Sequence, residues 1–90
     1  MTKTVEILFS GRVQKIGFRS CLRNIGINLG LTGEVENLND GRVRALVTGE
    51  EALIDKFISL TYSCPNAIIK NIETIDYVKT EFPHFTVKRE

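Results

Sequence analysis

Near its start the chain carries the stretch Gly11-Arg12-Val13-Gln14-Lys15-Ile16-Gly17-Phe18-Arg19. Before this stretch, Val5, Ile7 and Phe9 alternate with other side chains, which is the pattern of a strand with one buried face. After it, apolar residues recur at helical spacing, at Phe18, Leu22, Ile25 and Leu29. The stretch is therefore predicted to be a loop that joins a strand to the N-terminus of a helix.

A loop of this kind is a candidate anion site. The first backbone N–H groups of a helix have no partner within the helix, and the helix dipole adds about half a positive charge there. Gly11 and Gly17 permit tight turns and a close backbone approach to a ligand, and the planar guanidinium of Arg19 matches two oxygens of a phosphate group. On these residues alone, a simple turn and a solvent-exposed arginine remain the alternative interpretation.

Length and charge limit the classes of function that the chain can have. Its 90 residues predict one domain over residues 1–90, and 12 basic against 11 acidic residues leave a net charge of +1. This balance does not favour a polyanion-binding protein, and no apolar run approaches the roughly 20 residues that span a bilayer. The N-terminus has no apolar signal segment. We therefore expect a cytoplasmic monomer without nucleic-acid or membrane partners.

The rest of the sequence predicts alternating strands and helices. The first strand is expected over about residues 3–10, and the first helix ends near Gly30. A second strand over about residues 31–38 reaches Asn39-Asp40-Gly41, whose Asp-Gly step is typical of a hairpin, so the third strand runs antiparallel to the second. Thr48 and Glu51 have the spacing of a capping box, which predicts the start of a second helix.

The last third of the chain completes the predicted fold. The second helix should end by Cys64-Pro65, and irregular alternation over about residues 67–77 indicates a strand with a bulge. A short strand from Phe85 to Lys88 follows. The order β-α-β-β-α-β predicts an α+β fold of the ferredoxin-like, split βαβ type, an antiparallel sheet with two helices on one face.

The cysteine and histidine residues do not suggest a metal or redox site. Cys21 and Cys64 are too few for a disulfide scaffold and form no Cys-x-x-Cys pair, so we expect both to be small, buried apolar side chains. His84, the single histidine, is expected at the surface. No cluster has the ligand spacing of a metal site, and we expect no metal and no cofactor.

Two blocks of this sequence resemble the acylphosphatase family. Residues 11–19 are similar to the phosphate loop of that family, usually written Gly-x-Val-Gln-Gly-Val-Gly-Phe-Arg. The second block matches the family pattern Leu-Gly-Leu-x-Gly-x-Val-x-Asn-x-x-Asp-Gly-x-Val, and here it is Leu29-Gly30-Leu31-Thr32-Gly33-Glu34-Val35-Glu36-Asn37-Leu38-Asn39-Asp40-Gly41-Arg42-Val43. The spacing between Arg19 and Asn37 fits the family without a gap, and the resemblance covers essentially the whole chain.

The resemblance implies an enzyme that hydrolyses small acyl phosphates to a carboxylate and inorganic phosphate, with the same ferredoxin-like fold. By position, Arg19 and Asn37 are the catalytic pair, and water attacks phosphorus directly without a metal or a covalent phosphoenzyme. A carboxylate leaves readily without a strong general acid, and the amide of Asn37 can orient a water without acting as a base. The phosphoryl group or a phosphate ion would be bound by the loop residues Gln14, Lys15, Ile16, Gly17, Phe18 and Arg19.

Two departures from the family pattern keep a second interpretation open. Lys15 stands where the family has glycine, at a position that can demand a positive φ, and Glu34 places a carboxylate near an anion site. The alternative is therefore a non-catalytic module that binds phosphate-like anions with impaired turnover. RNA binding, a third possibility for this fold, lacks the aromatic pair on the central strands and a basic stripe beside them.

Overall fold

Five strands and two helices make up residues 1–89, the part of the chain that a computed structural model describes. The elements are β1 (Thr2–Arg12), α1 (Phe18–Asn28), β2 (Thr32–Asn37), β3 (Val43–Glu50), α2 (Glu51–Thr61), β4 (Ile68–Tyr77) and β5 (Phe85–Val87). Within this range, neither helix is long and apolar enough to cross a membrane.

The strands form one mixed sheet in the order β4-β1-β3-β2-β5. β1 pairs antiparallel with β3 and with β4, and β2 pairs antiparallel with β3, while β5 runs parallel to β2 at the far edge. The inward side chains of the strands share one apolar core with Leu22 of α1 and Ile54 and Phe57 of α2. The predicted α+β, ferredoxin-like fold is confirmed, with β5 as an added edge strand.

The start of α1 is held against the centre of the sheet by two aromatic rings. Phe9 of β1 and Phe18, the first residue of α1, meet edge to face with their ring centroids 5.2 Å apart. Both side chains are almost fully buried. Because Arg19 follows Phe18 directly, this contact also fixes the point on α1 from which the side chain of Arg19 projects.

The bulge predicted for the fourth strand is confirmed, and it explains Gly11. The pairing of β1 with β4 passes from Ser10 opposite Asn71 to Gly11 opposite Ile69, which leaves Lys70 as the extra residue. Gly11 has a φ of 125°, and a Cβ at this position would collide with the carbonyl oxygen of Ile68. The expectation that Gly11 approaches a ligand is therefore wrong, because the close neighbour is the backbone of β4.

The predicted capping box at the start of α2 is also wrong. β3 continues to Glu50, the helix begins at Glu51, and no side chain caps the first turn. Thr48 remains extended in β3, where its Oγ1 donates to the carbonyl oxygen of Thr80 at 2.7 Å and lies 2.7 Å from Thr4 Oγ1. The pairing of β3 with its neighbouring strands keeps the Thr48 hydroxyl on the sheet, away from the first amides of α2.

The expectation that the two cysteines are simple apolar side chains is contradicted by a disulfide between them. Cys21 on α1 and Cys64 in the turn after α2 are bonded, with their Cα atoms 6.0 Å apart. The bond joins the helix that carries Arg19 to the end of the other helix. Residue counts do not show this pairing, because it depends on the packing of two helices far apart in sequence.

We expect reduction of the Cys21–Cys64 disulfide to lower the free energy of unfolding by about 2–4 kcal/mol, because the bond closes a long loop in the unfolded chain. Urea denaturation with and without a reductant measures this difference. A variant with both cysteines replaced by alanine is the control, and reductant should not change its transition. Two titratable thiols in the native, unreduced protein would contradict the assignment.

Candidate active site

A cavity of about 130 Å³ lies where the loop before α1, the end of β2 and the segment after β5 meet. This space is several times what a single water needs. The lining residues are Val13, Lys15, Gly17, Phe18, Arg19, Ser20, Asn37, Val87 and Arg89. Among residues 1–89, three of the residues that line the cavity are basic and none is acidic, so this lining is suited to an anion.

Most of the residues predicted for the site meet in this cavity. Lys15, Gly17 and Phe18 line it together with both predicted catalytic residues, Arg19 and Asn37. The other two loop residues predicted for the site, Gln14 and Ile16, do not line it: the side chain of Ile16 packs against the core, and that of Gln14 turns to a neighbouring turn.

The loop reaches α1 through two residues with left-handed backbone. Lys15 has a φ of 65° and Gly17 a φ of 78°, so the position where the family pattern has glycine does adopt a positive φ. Gly17 caps the helix without a side-chain hydrogen bond, and the first turn of α1 contains no acidic residue. The first amides of α1 and the positive end of its dipole are therefore not neutralised by the helix's own side chains.

Gln14 ties the loop to the turn between β2 and β3. Its Nε2 donates to the carbonyl oxygens of Leu38 and Arg42, each at 2.9 Å. Leu38 follows Asn37 directly, so these two bonds fix the loop relative to the strand end that carries Asn37. The sequence assigned Gln14 only to the anion-binding backbone, and no spacing signal indicated the partner of its side chain.

Arg19 is half-buried and is held by the C-terminal segment. Its Nη1 donates to the carbonyl oxygen of Lys88 at 2.8 Å. A guanidinium has five N–H donors, so this bond orients the group and leaves most of its donors for a ligand. No sequence pattern indicated this segment, because only the parallel pairing of β5 with β2 brings Val87 and Arg89 into the cavity.

Asn37 is the last residue of β2, opposite Val43 of β3. Its Oδ1 atom is buried and accepts no hydrogen bond from any residue within 1–89. Leaving a buried polar atom without a partner costs about 1–3 kcal/mol, so such atoms in native proteins call for a specific explanation. A bound water or ligand with a donor hydrogen would satisfy it.

The turn after Asn37 is stabilised by other residues. The carboxylate of Asp40 accepts hydrogen bonds from the backbone N–H of Arg42 at 3.1 Å and from its Nε at 2.8 Å. These bonds hold the pKa of Asp40 below its usual value, and the bond from the backbone N–H of Arg42 contributes most to this shift. Asn37 is thus not needed to form the turn, and it is one of the residues that line the cavity.

Glu34 does not bring its carboxylate into the cavity. It lies among the half-buried residues of β2, and its Oε2 is 3.8 Å from Nζ of Lys88. Within residues 1–89, no group of three or more His, Cys, Asp and Glu side chains is placed to hold a metal ion. The donors that this site offers are amides, a hydroxyl and cations, which bind oxyanions.

Comparison with known proteins places the chain in a family. A family model described as Acylphosphatase matches residues 5–87. The chain is 41% identical over 90 residues to an acylphosphatase of Thermoplasma volcanium, covering 99% of this chain and 100% of that protein. It is 44% identical over 70 residues to an acylphosphatase of Archaeoglobus fulgidus, covering 77% of this chain and 79% of that one.

The fold agrees with these sequence matches. A solved acylphosphatase from Coxiella burnetii superimposes on the chain with a TM-score of 0.91 at 28% identity, covering 97% of this chain and 93% of that one. The match therefore extends over nearly the whole of both proteins. The chain belongs to the acylphosphatase family.

Proposed function

We propose that this chain hydrolyses small acyl phosphates in the cavity beside Arg19 and Asn37, releasing a carboxylate and inorganic phosphate. Membership in the acylphosphatase family supports acyl phosphate hydrolysis in general. The observation that carries the proposal at the level of residues is that Arg19 and Asn37, from distant parts of the sequence, line the same basic cavity. The cavity thus offers an amide that can orient a water beside a cation that can bind a phosphoryl group.

Arg19 and the loop bind the phosphoryl group. The guanidinium presents two parallel N–H donors to two non-bridging oxygens, and its bond to the carbonyl of Lys88 sets its orientation in advance. The backbone amides of residues 14–19 bind the remaining charge, with the positive end of α1 behind them. Preorganised donors of this kind stabilise the charge that develops on the phosphoryl oxygens in the transition state.

Asn37 places the attacking water. Its side-chain amide hydrogen-bonds to the water, whose oxygen then forms a bond to phosphorus as the bond from phosphorus to the carboxyl oxygen breaks. The leaving carboxylate takes that electron pair and needs little help from an acid. The protons of the water go to phosphate and solvent, so no residue of the site has to act as a strong base.

The competing function is anion binding without turnover, for which Lys15 in the loop is the specific observation. A long side chain there can change the position of the loop amides without removing the positive charge. The expected monomeric and cytoplasmic state, without nucleic-acid or membrane partners, remains part of the proposal. The net charge of +1 gives the protein no strong field toward polyanions, which supports the expected lack of nucleic-acid partners. The Cys21–Cys64 disulfide, a kind of bond that is rare in cytosolic proteins, argues against the cytoplasmic expectation.

Replacing the two central residues should separate binding from chemistry. In Arg19→Gln we expect turnover of benzoyl phosphate to fall by roughly 10³-fold or more and phosphate binding to be lost, because both depend on the guanidinium. In Asn37→Ala we expect turnover to fall by roughly 10²–10³-fold while phosphate still binds. Metal-free hydrolysis measures the first quantity, and calorimetric titration with phosphate measures the second.

Two exposed residues of α1 provide matched controls for these substitutions. Arg23→Gln and Asn24→Ala remove the same side-chain types outside the cavity, and we expect each to stay within about twofold of wild type. A wild-type protein that binds phosphate through Arg19 but hydrolyses no acyl phosphate would favour the non-catalytic module.

We expect Lys15 to strengthen phosphate binding through its charge and to lower stability through its left-handed backbone conformation. We expect Lys15→Gly to raise the free energy of unfolding by up to about 1 kcal/mol, because glycine adopts positive φ without steric cost. The same change should weaken phosphate binding by about twofold to fivefold through loss of the ammonium. Lys15→Asn, which also tolerates left-handed backbone, tests the charge separately. Unchanged phosphate affinity in both variants would show that the ammonium does not act on the anion.

Gln14 should act as a positioning residue between the loop and Asn37. We expect Gln14→Leu to lower the free energy of unfolding by about 1–2 kcal/mol and kcat by about tenfold, because two carbonyls lose a donor and the two halves of the site shift. Asn39→Ala, which removes an exposed amide from the same turn, is the control. If kcat in Gln14→Leu is unchanged while stability falls, the side chain has a structural role only.

A further inference from the structure

Within residues 1–89, the residues that line the cavity carry more positive charge than one phosphoryl group requires. A phosphoryl group has a charge of about −1.5 to −2 near neutral pH, and Arg19 with the N-terminus of α1 supplies about +1.5. Lys15 and Arg89 line the same cavity, and both are exposed where Arg19 is half-buried. The exposure of these two additional cations places them nearer the rim of the cavity than Arg19.

The backbone around Arg89 is fixed against the site. The N–H of Lys88 donates to the carbonyl oxygen of Val35 at 2.8 Å, and the carbonyl oxygen of Lys88 accepts from Arg19. Both backbone polar groups of Lys88 thus form hydrogen bonds, and these bonds hold the backbone of Arg89 beside Arg19. The ammonium of Lys88 lies toward Glu34, so of these two consecutive basic residues it is Arg89 that lines the cavity.

We propose that Arg89, with Lys15 as a second charge, forms a subsite at the rim for another anionic group on the acyl part of the substrate. This inference rests on the proposed function and names a substrate class: acyl phosphates that carry a carboxylate or a phosphate in addition to the acyl phosphate itself. The planar guanidinium of Arg89 matches either group with two parallel hydrogen bonds. Val87, between Lys88 and the core, offers apolar surface to the carbon skeleton.

Matched substrates isolate the charge of the second group. Benzoyl phosphates with a carboxylate at ring position 3 or 4 are compared with the carboxamides of the same shape, which lack the charge. We expect wild-type kcat/KM to favour at least one carboxylate over its carboxamide by roughly fivefold to tenfold. The preference should shrink as ionic strength rises, because both cations are exposed.

Substitutions then locate the effect. We expect Arg89→Gln to reduce the carboxylate-to-carboxamide ratio by at least about threefold, while Arg89→Lys retains part of it. Arg23→Gln removes the same charge from the exposed face of α1 outside the cavity, and it should leave the ratio unchanged. A wild-type ratio near one for both ring positions overturns the proposal. So does a high ratio that Arg89→Gln leaves intact.

Unsubstituted benzoyl phosphate distinguishes the failure of this subsite from the failure of the proposed function. If the wild type hydrolyses it but shows no preference for the added carboxylate, the proposed function stands and the subsite is rejected. If the wild type hydrolyses none of the benzoyl phosphates, the proposed function fails, and the substrate class inferred here fails with it.

Discussion

The parallel pairing of β5 with β2 is the interaction on which the site depends most. The N–H of Gly33 donates to the carbonyl of His84 and the N–H of Lys88 to the carbonyl of Val35, so the last strand is bonded at both ends. This pairing carries the chain past Asn37 and places the carbonyl of Lys88 within 2.8 Å of the Arg19 guanidinium. Without it, Arg19 would lose its described hydrogen-bond partner and the cavity one of its walls.

The loop before α1 is held independently at its two ends, which makes its unusual backbone possible. At one end, Gln14 is bonded to the turn that follows Asn37, and at the other, Phe18 is packed on Phe9 in the core. The disulfide from Cys21 adds a covalent restraint on the same helix. Between these anchors, Lys15 and Gly17 both adopt left-handed conformations, and at Lys15, which is not glycine, the surrounding structure must enforce that conformation.

Local patterns were sufficient to predict the fold, whereas Arg19 and Asn37 were assigned to the candidate site only through the resemblance to the acylphosphatase family. Apolar alternation indicated β1, and the Asp40-Gly41 step indicated the β2–β3 hairpin, because both signals arise from neighbouring residues. The features that were missed depend on contacts between distant segments. Gly11 is required by the close backbone of β4, Thr48 donates its hydroxyl to the carbonyl of Thr80, and Cys21 is bonded to Cys64. The partners of Gln14 and Arg19, and the arrival of Arg89 at the cavity, are of the same kind, since no short-range spacing encodes them.

The left-handed conformation of Lys15 is unfavourable for a long, charged side chain, so the presence of lysine at this position calls for an explanation. A non-glycine residue with positive φ is disfavoured by about 1–2 kcal/mol, and glycine would occupy the same backbone without that penalty. A simple turn would therefore be more stable with glycine at position 15. The side chain instead lines a cavity that Arg19 and Arg89 already make basic, where a third cation adds repulsion unless an anion is present. An anion bound in the cavity, as the proposed function requires, offsets the like-charge repulsion at Lys15 and can compensate for the strain of its backbone.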